Sequence, residues 1–151
     1  MLPLLRSQNQ KVIYYFNEIL TMSREKYVNN QYAEIWFENG LVHTVFKPDT
    51  IITVDVAERV TNDRLKVSDG KLSPIFIDLR NMVSTENAAR TYMASPPAQQ
   101  FLSAGAVLIN NEIHRLLMNL WLKIDKPYIP TKSFTDKGKA LEWLETFKVQ
   151  N

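Results

Sequence analysis

Pro74-Ile75-Phe76-Ile77-Asp78-Leu79 is the stretch on which the fold turns. It is a short apolar run, broken only by Asp78 near its end. That pattern suits a strand buried on both faces, as in a parallel or mixed sheet. A second such run, Ala104-Gly105-Ala106-Val107-Leu108-Ile109, follows downstream. Between and around the two, the apolar spacing switches to that of helices. Upstream, residues 53–67 place Val56, Val60 and Val67 on one face, with Ala57 and Arg64 alongside. Thr53 is a suitable N-cap there, Asp55 sits in the first turn where the helix dipole favours an acid, and Ser68-Asp69-Gly70 ends the element.

Further upstream, Ala33–Glu38 and Leu41–Phe46 read as two strands of a hairpin. Asn39-Gly40 between them is the strongest short hairpin signal, since a type I′ turn needs positive φ at both central residues. Downstream of the first run, Ser84 or Thr85 is the expected N-cap of a helix through Ala88, Ala89, Tyr92 and Met93, with Glu86 in its first turn. Pro96-Pro97 breaks that helix and starts a second short one. After the second run, Asn110-Asn111 opens a helix in which Ile113, Leu116, Leu117, Leu120, Trp121 and Ile124 keep helical spacing. Met118 and Leu122 widen its apolar stripe, so deep burial is expected. Tyr128–Phe134 is a last strand, placed at an edge by Pro130. Thr135 then opens a final helix with Ala140, Leu141, Leu144 and Phe147 on its apolar face. The order β-β-α-β-α-β-α-β-α implies crossover connections and a mostly parallel sheet covered by helices.

The chain has 151 residues, enough for one substantial core, and its 45% hydrophobic and 23% charged content is that of a globular domain. Cysteine is absent, which removes disulfides, thiol nucleophiles and Cys-based metal centres. A reducing, cytoplasmic setting fits. Net charge is +2, and the excess sits in residues 1–32, where Arg6, Lys11, Arg24 and Lys26 outnumber Glu18 and Glu25. The remainder holds 14 residues of each sign. With no basic cluster, nucleic acid is not an expected partner. No stretch is long and apolar enough to span a bilayer, and the N-terminus lacks the basic start of a signal peptide.

Residues 1–32 are read as an N-terminal extension and 33–151 as the α/β domain. Val12, Tyr15, Phe16 and Ile19 have helical spacing, and the favoured reading is an amphipathic helix docked on the domain. Two alternatives stand beside it: Met22 as the true start, and a membrane-surface helix, for which the polar face is poor in Lys and Arg.

The run at 74–80 with Ser84-Thr85-Glu86, then 104–109, then Phe134-Thr135-Asp136 with Ala140-Leu141-Glu142-Trp143-Leu144, resembles the SpoIIAA-like group of STAS domains. The likeness covers about residues 33–148. It implies an α/β fold with a mixed sheet of four to five strands and helices mainly on one face, related also to the CRAL-TRIO fold. It further implies a role without chemistry: a regulatory module that binds a protein partner, with nucleotide or lipid binding in some members. Phosphorylatable members carry an Asp-Ser pair at the helix opening. Here Glu86-Asn87 stands in its place, so the phosphorylation switch is not carried over.

Five residues are candidates for a partner or ligand face. Asp78 lies near the carboxyl end of a central strand, where ligands collect in open α/β sheets. Arg80 and Arg90 would flank it and attract an anion. A phosphate on Ser84 or Thr85 would gain from a helix N-terminus, the plain alternative for both being an N-cap. Trp121 and Trp143 are candidates for an apolar pocket, within an aromatic set that otherwise reads as core. No catalytic residue, metal site or cofactor is nominated. The two histidines, His43 and His114, lack metal-ligand spacing, and the four glycines stand alone rather than in a phosphate loop. The expected function is a non-enzymatic protein-interaction module, with a binder of a lipid or other apolar molecule as the alternative. An exposed strand edge would allow a homodimer.

Overall fold

The computed structural model describes residues 8–23 and 26–149, with side chains for 8–17 and 26–149. Arg6, Arg24, Glu25 and the side chains of Glu18 and Ile19 lie outside the described residues. The elements are α1 (Gln8–Ser23), β1 (Lys26–Asn29), β2 (Ala33–Glu38), β3 (Leu41–Phe46), β4 (Ile51–Ile52), α2 (Val54–Ser68), β5 (Ser73–Asp78), β6 (Ser84–Thr85) and α3 (Asn87–Met93). A 3-10 turn at Pro97–Gln99 precedes β7 (Leu102–Leu108), α4 (Glu112–Asp125), β8 (Thr131–Phe134) and α5 (Lys137–Glu145).

One mixed sheet organises the chain, in the order β1-β2-β3-β5-β7-β8. The hairpin forms as its sequence demands. Glu38 pairs with Leu41, and Asn39 and Gly40 take φ of 51° and 73°, the left-handed values of a type I′ turn. From β3 onward every pairing is parallel: β3 with β5, β5 with β7, β7 with β8. These strands step across the sheet in one direction, so right-handed crossovers put α2, α3 and α4 on the same face. The chain runs out of strands after β8, and α5 folds back over the opposite face against β5, β7 and β8.

The two faces have separate cores, and β5 serves both. Ile75 belongs to the α2 side with Ile35, Val42, Val56 and Val60, while Phe76 belongs to the α5 side with Leu108, Phe134, Ala140 and Leu144. This two-sided burial is what the run at 74–79 predicted.

Four expectations need correction. The sheet has six strands, not four or five, because Lys26–Asn29 pairs antiparallel with β2 as an extra edge strand. That strand lies inside the stretch read as an extension. Ser84 and Thr85 cap no helix. They form β6, which pairs parallel with β4, and α3 starts behind Glu86, whose side chain makes no capping bond. The N-terminal helix forms, but among its described side chains Val12, Tyr15 and Phe16 are exposed rather than docked.

The fourth correction concerns α4. Asn111 caps it as expected, its side chain accepting from the His114 N–H. Yet none of its residues is buried, and Ile113 is 71% exposed. Its apolar arc is wider than the single face it turns to the fold. Met118, Trp121 and Leu122 are half-buried on the sheet side, whereas Leu116, Leu120 and Ile124 are exposed. Across the helix, the Ser133 hydroxyl of the edge strand donates to Asn119 Oδ1 at 2.6 Å and ties α4 to β8.

Candidate functional site

Strand alternation decides where each candidate residue goes. On β5, Ile75 and Ile77 face the α2–α4 side, as does Leu79 just beyond, and all three line a cavity there. Asp78 lies between Ile77 and Leu79 and so belongs to the opposite face. The five residues expected on one face are thus divided. Ser84, Thr85 and Arg90 line the cavity, and Asp78 and Arg80 do not.

Asp78 is nearly fully buried and its partner is Arg80. The Arg80 backbone N–H donates to Oδ1 at 3.0 Å, Nε donates to the same oxygen at 3.0 Å, and Nη2 donates to Oδ2 at 2.8 Å. Burial alone would raise the Asp78 carboxyl. The Arg80 hydrogen bonds and charge, with Lys137 nearby, outweigh it and hold the carboxyl below its ordinary range. This is a self-contained pair closing the end of a strand, not an open acid.

Arg90 has a different task. Its Nε donates to Asp125 Oδ2 at 3.0 Å, Nη1 donates to Asn87 Oδ1 at 2.7 Å, and the guanidinium lies 4.7 Å from the Trp121 ring centroid. It joins α3 to α4 by an ion pair and a cation–π contact at one wall of the cavity.

The two tryptophans read as one pocket are separated by the sheet. Trp121 lines the cavity. Trp143 packs on the α5 side between Phe134 and Phe147, with centroids 5.8 and 4.7 Å away. His43, also on that side, stacks on Trp36 at 4.8 Å and meets the edge of Phe76. His114 lines the cavity from α4. Among the described residues no group of three His, Asp or Glu side chains is placed to hold a metal ion.

The cavity itself measures about 440 Å³. Its floor is the sheet, through Thr44, Ile75, Ile77 and Val107. Its walls are Val60 and Arg64 of α2, Met93 of α3, and Met118 and Leu122 of α4. It exists because α3 is short and α4 packs mainly at the β8 edge, so the middle of this sheet face is only partly covered.

Two polar groups in this apolar lining went unassigned in the sequence. The Thr44 hydroxyl is buried without a hydrogen-bond partner. Arg64 is 2% exposed, donating from Nη1 to the Gln100 carbonyl and from Nη2 to the Ala98 carbonyl, each at 2.7 Å. Burial lowers its pKa to about 10, against a small opposing effect of Tyr92. The signal for Arg64 was present: it shares the apolar face of α2 with Val56, Val60 and Val67, where a charge is out of place.

The architecture is similar to that of an uncharacterized protein of the DUF3478 family with a SpoIIAA-like fold from Shewanella loihica PV-4. The two share 18% identity with a TM-score of 0.54, over 78% of this chain and 98% of that one. The SpoIIAA-like fold expected from the sequence is therefore the observed one. Comparison with curated proteins finds no match. A family model matches residues 35–148, and the chain accordingly belongs to the family described as a domain of unknown function, DUF7793.

Proposed function

We propose that the protein is a non-enzymatic binding module that takes an apolar small molecule into the cavity between the sheet and helices α2, α3 and α4. One observation carries the reading: a largely apolar cavity of about 440 Å³ in the middle of a sheet face. Sites for small molecules fall in this size range and combine apolar walls with a few polar groups. A domain with nothing to bind gains by collapsing such a space, since unfilled volume forfeits contacts between its lining side chains. The sequence placed a protein-interaction module first and an apolar-ligand binder second. The cavity supports the reverse order.

Native mass spectrometry of the purified chain, followed by denaturing extraction, tests for a retained molecule. Titration with the neutral dye N-phenyl-1-naphthylamine tests the cavity directly. Saturable binding at one dye per chain, reversed by a long-chain alcohol, is expected. A chain that carries no molecule and gives no saturable dye signal overturns the reading.

A second reading, a protein-contact face, is favoured by a separate observation. Ile113, Leu116, Leu117, Leu120 and Ile124 form an exposed apolar stripe along α4, and contiguous apolar surface of this kind marks interaction sites. Sedimentation velocity tests the simplest version, a second copy of the chain. Concentration-dependent association that is lost in Leu120→Glu supports it, and a monomer at all concentrations removes it.

A further inference from the structure

We propose that the ligand of this cavity is an organic anion with an apolar body, a carboxylate in the simplest case, and that Arg64 is its counter-charge. The proposal rests on the cavity reading above and goes further by naming the ligand's chemical class.

Arg64 is a buried cation without an anion. Among the described residues no Asp or Glu pairs with it, whereas the two other buried charges, Asp63 and Asp78, and the half-buried Arg90 at the cavity wall all have charged partners. Asp63 has Arg59 and Lys66, Asp78 has Arg80, and Arg90 has Asp125. A buried charge with no opposite charge is costly, and the usual outcome is pairing. Arginine cannot escape by giving up its proton at ordinary pH.

Its two hydrogen bonds do not explain the charge. Both go to neutral backbone carbonyls, of Ala98 and Gln100. They fasten the 3-10 turn to α2, a task that a neutral donor performs without the cost of a buried cation. They also use only two of the five N–H donors that a guanidinium carries. The remaining donors belong to a planar fork whose geometry suits a carboxylate.

Thr44 points the same way independently. It lines the same cavity, is 1% exposed, and its hydroxyl has no hydrogen-bond partner. Buried hydroxyls are normally satisfied, and exceptions in a cavity call for a missing partner. The cavity thus holds an unpaired cation and an unpaired hydroxyl in walls that are otherwise mostly apolar. A pure hydrocarbon answers neither group, and a cation would be repelled. A molecule with one compact anionic group and an apolar remainder answers both.

The test uses the full chain, loaded with N-phenyl-1-naphthylamine and challenged with decanoate, decanol and decylamine. Decanoate is expected to displace the dye at about tenfold lower concentration than decanol, the usual worth of a charge-assisted hydrogen bond, and decylamine is expected to be weakest. Arg64→Gln should bring decanoate to the level of decanol and leave decanol unchanged. Arg64→Lys keeps the charge and should keep the order of the ligands. Should Arg64→Gln fail to fold, the decanoate-to-decanol ratio in the unaltered protein still decides. Equal displacement by decanoate and decanol overturns the anion assignment and leaves the cavity reading standing. A decanoate preference that persists in Arg64→Gln overturns Arg64 as the counter-charge. Failure of the dye and all three ligands to bind removes the cavity reading itself.

Discussion

Asn30 and Asp63 lie 33 positions apart and meet in the core, the Asn30 side-chain N–H donating to Asp63 Oδ2 at 2.8 Å. The same Asn30 accepts from the backbone N–H groups of Tyr32 and Ala33 through Oδ1, at 2.7 and 2.8 Å. One side chain thus shapes the turn between β1 and β2 and fixes that turn to α2. Asn30→Ala removes all three bonds and strips a buried carboxylate of a donor. A loss of about 2–3 kcal/mol in urea unfolding is expected, since unsatisfied buried groups cost more than the bonds themselves are worth. A chain shortened to residues 33–151 should lose at least as much, because β1 goes with it. A shortened chain as stable as the full one would show that β1 and Asn30 are dispensable.

Asp63 and Asp78 also predict an acid limb. At both, burial by itself raises the carboxyl. Asn30 and Arg59 at Asp63, and Arg80 at Asp78, more than offset it, and both carboxyls end below the ordinary range. A depressed folded-state value means stability that is complete above the unfolded value of about 4 and is lost as pH falls through the folded values. Urea midpoints should therefore be flat in pH down to about 4 and fall below it. Arg80→Met takes away the donor that opposes burial at Asp78. Its acid limb should be shallower, and its deficit against the unaltered protein should shrink once the carboxyl is protonated. Parallel curves for the two proteins would rule out Asp78–Arg80 as a source of the limb.

The sequence foretold elements better than their neighbours. The hairpin was legible because Asn39-Gly40 admits one turn, and α2 because Thr53 and Asp69-Gly70 mark both ends chemically. In the structure the Thr53 side chain accepts from the Val56 N–H, and Asp69 takes the left-handed conformation. The strand Lys26–Asn29 was missed because it is four residues long and mostly exposed, so it carries no apolar alternation. Ser84 and Thr85 have cap chemistry, but a backbone pairing with Ile51 and Ile52 claimed them. Of the site, Trp121 and Arg90 were within reach of sequence because they stand on elements with clear boundaries. The cavity was not, since it is a gap left between helices. Which residues line a gap depends on how far apart α2 and α4 settle, and periodicity says nothing about that distance.

The wide apolar arc of α4 makes a prediction that contrasts its two sides. Leu120 is exposed and Trp121, the next residue, lines the cavity under the Arg90 guanidinium. Leu120→Glu should change stability by no more than about 0.5 kcal/mol, as surface substitutions do. Trp121→Ala should cost about 3 kcal/mol, through lost burial and a lost cation–π contact. Equal costs would mean that the exposed stripe is covered in solution.

Gly105 offers a way to change the cavity without disturbing its charged groups. It lies in the middle of β7 with a backbone conformation open to any residue, and it lines the cavity. A Cβ there would meet Ile75 Cγ2 at 3.6 Å and Ile129 Cδ1 at 3.7 Å, both ordinary contact distances. Gly105→Ala should therefore fold. It restricts the unfolded chain and adds contacts, which together predict a gain of about 0.5–1 kcal/mol in urea unfolding. The added methyl occupies space that a ligand would use, so dye affinity should fall while stability rises. Stability and binding moving in opposite directions would identify the empty volume as space kept for a ligand at the expense of packing. If both rise together, the dye does not bind where Gly105 lies.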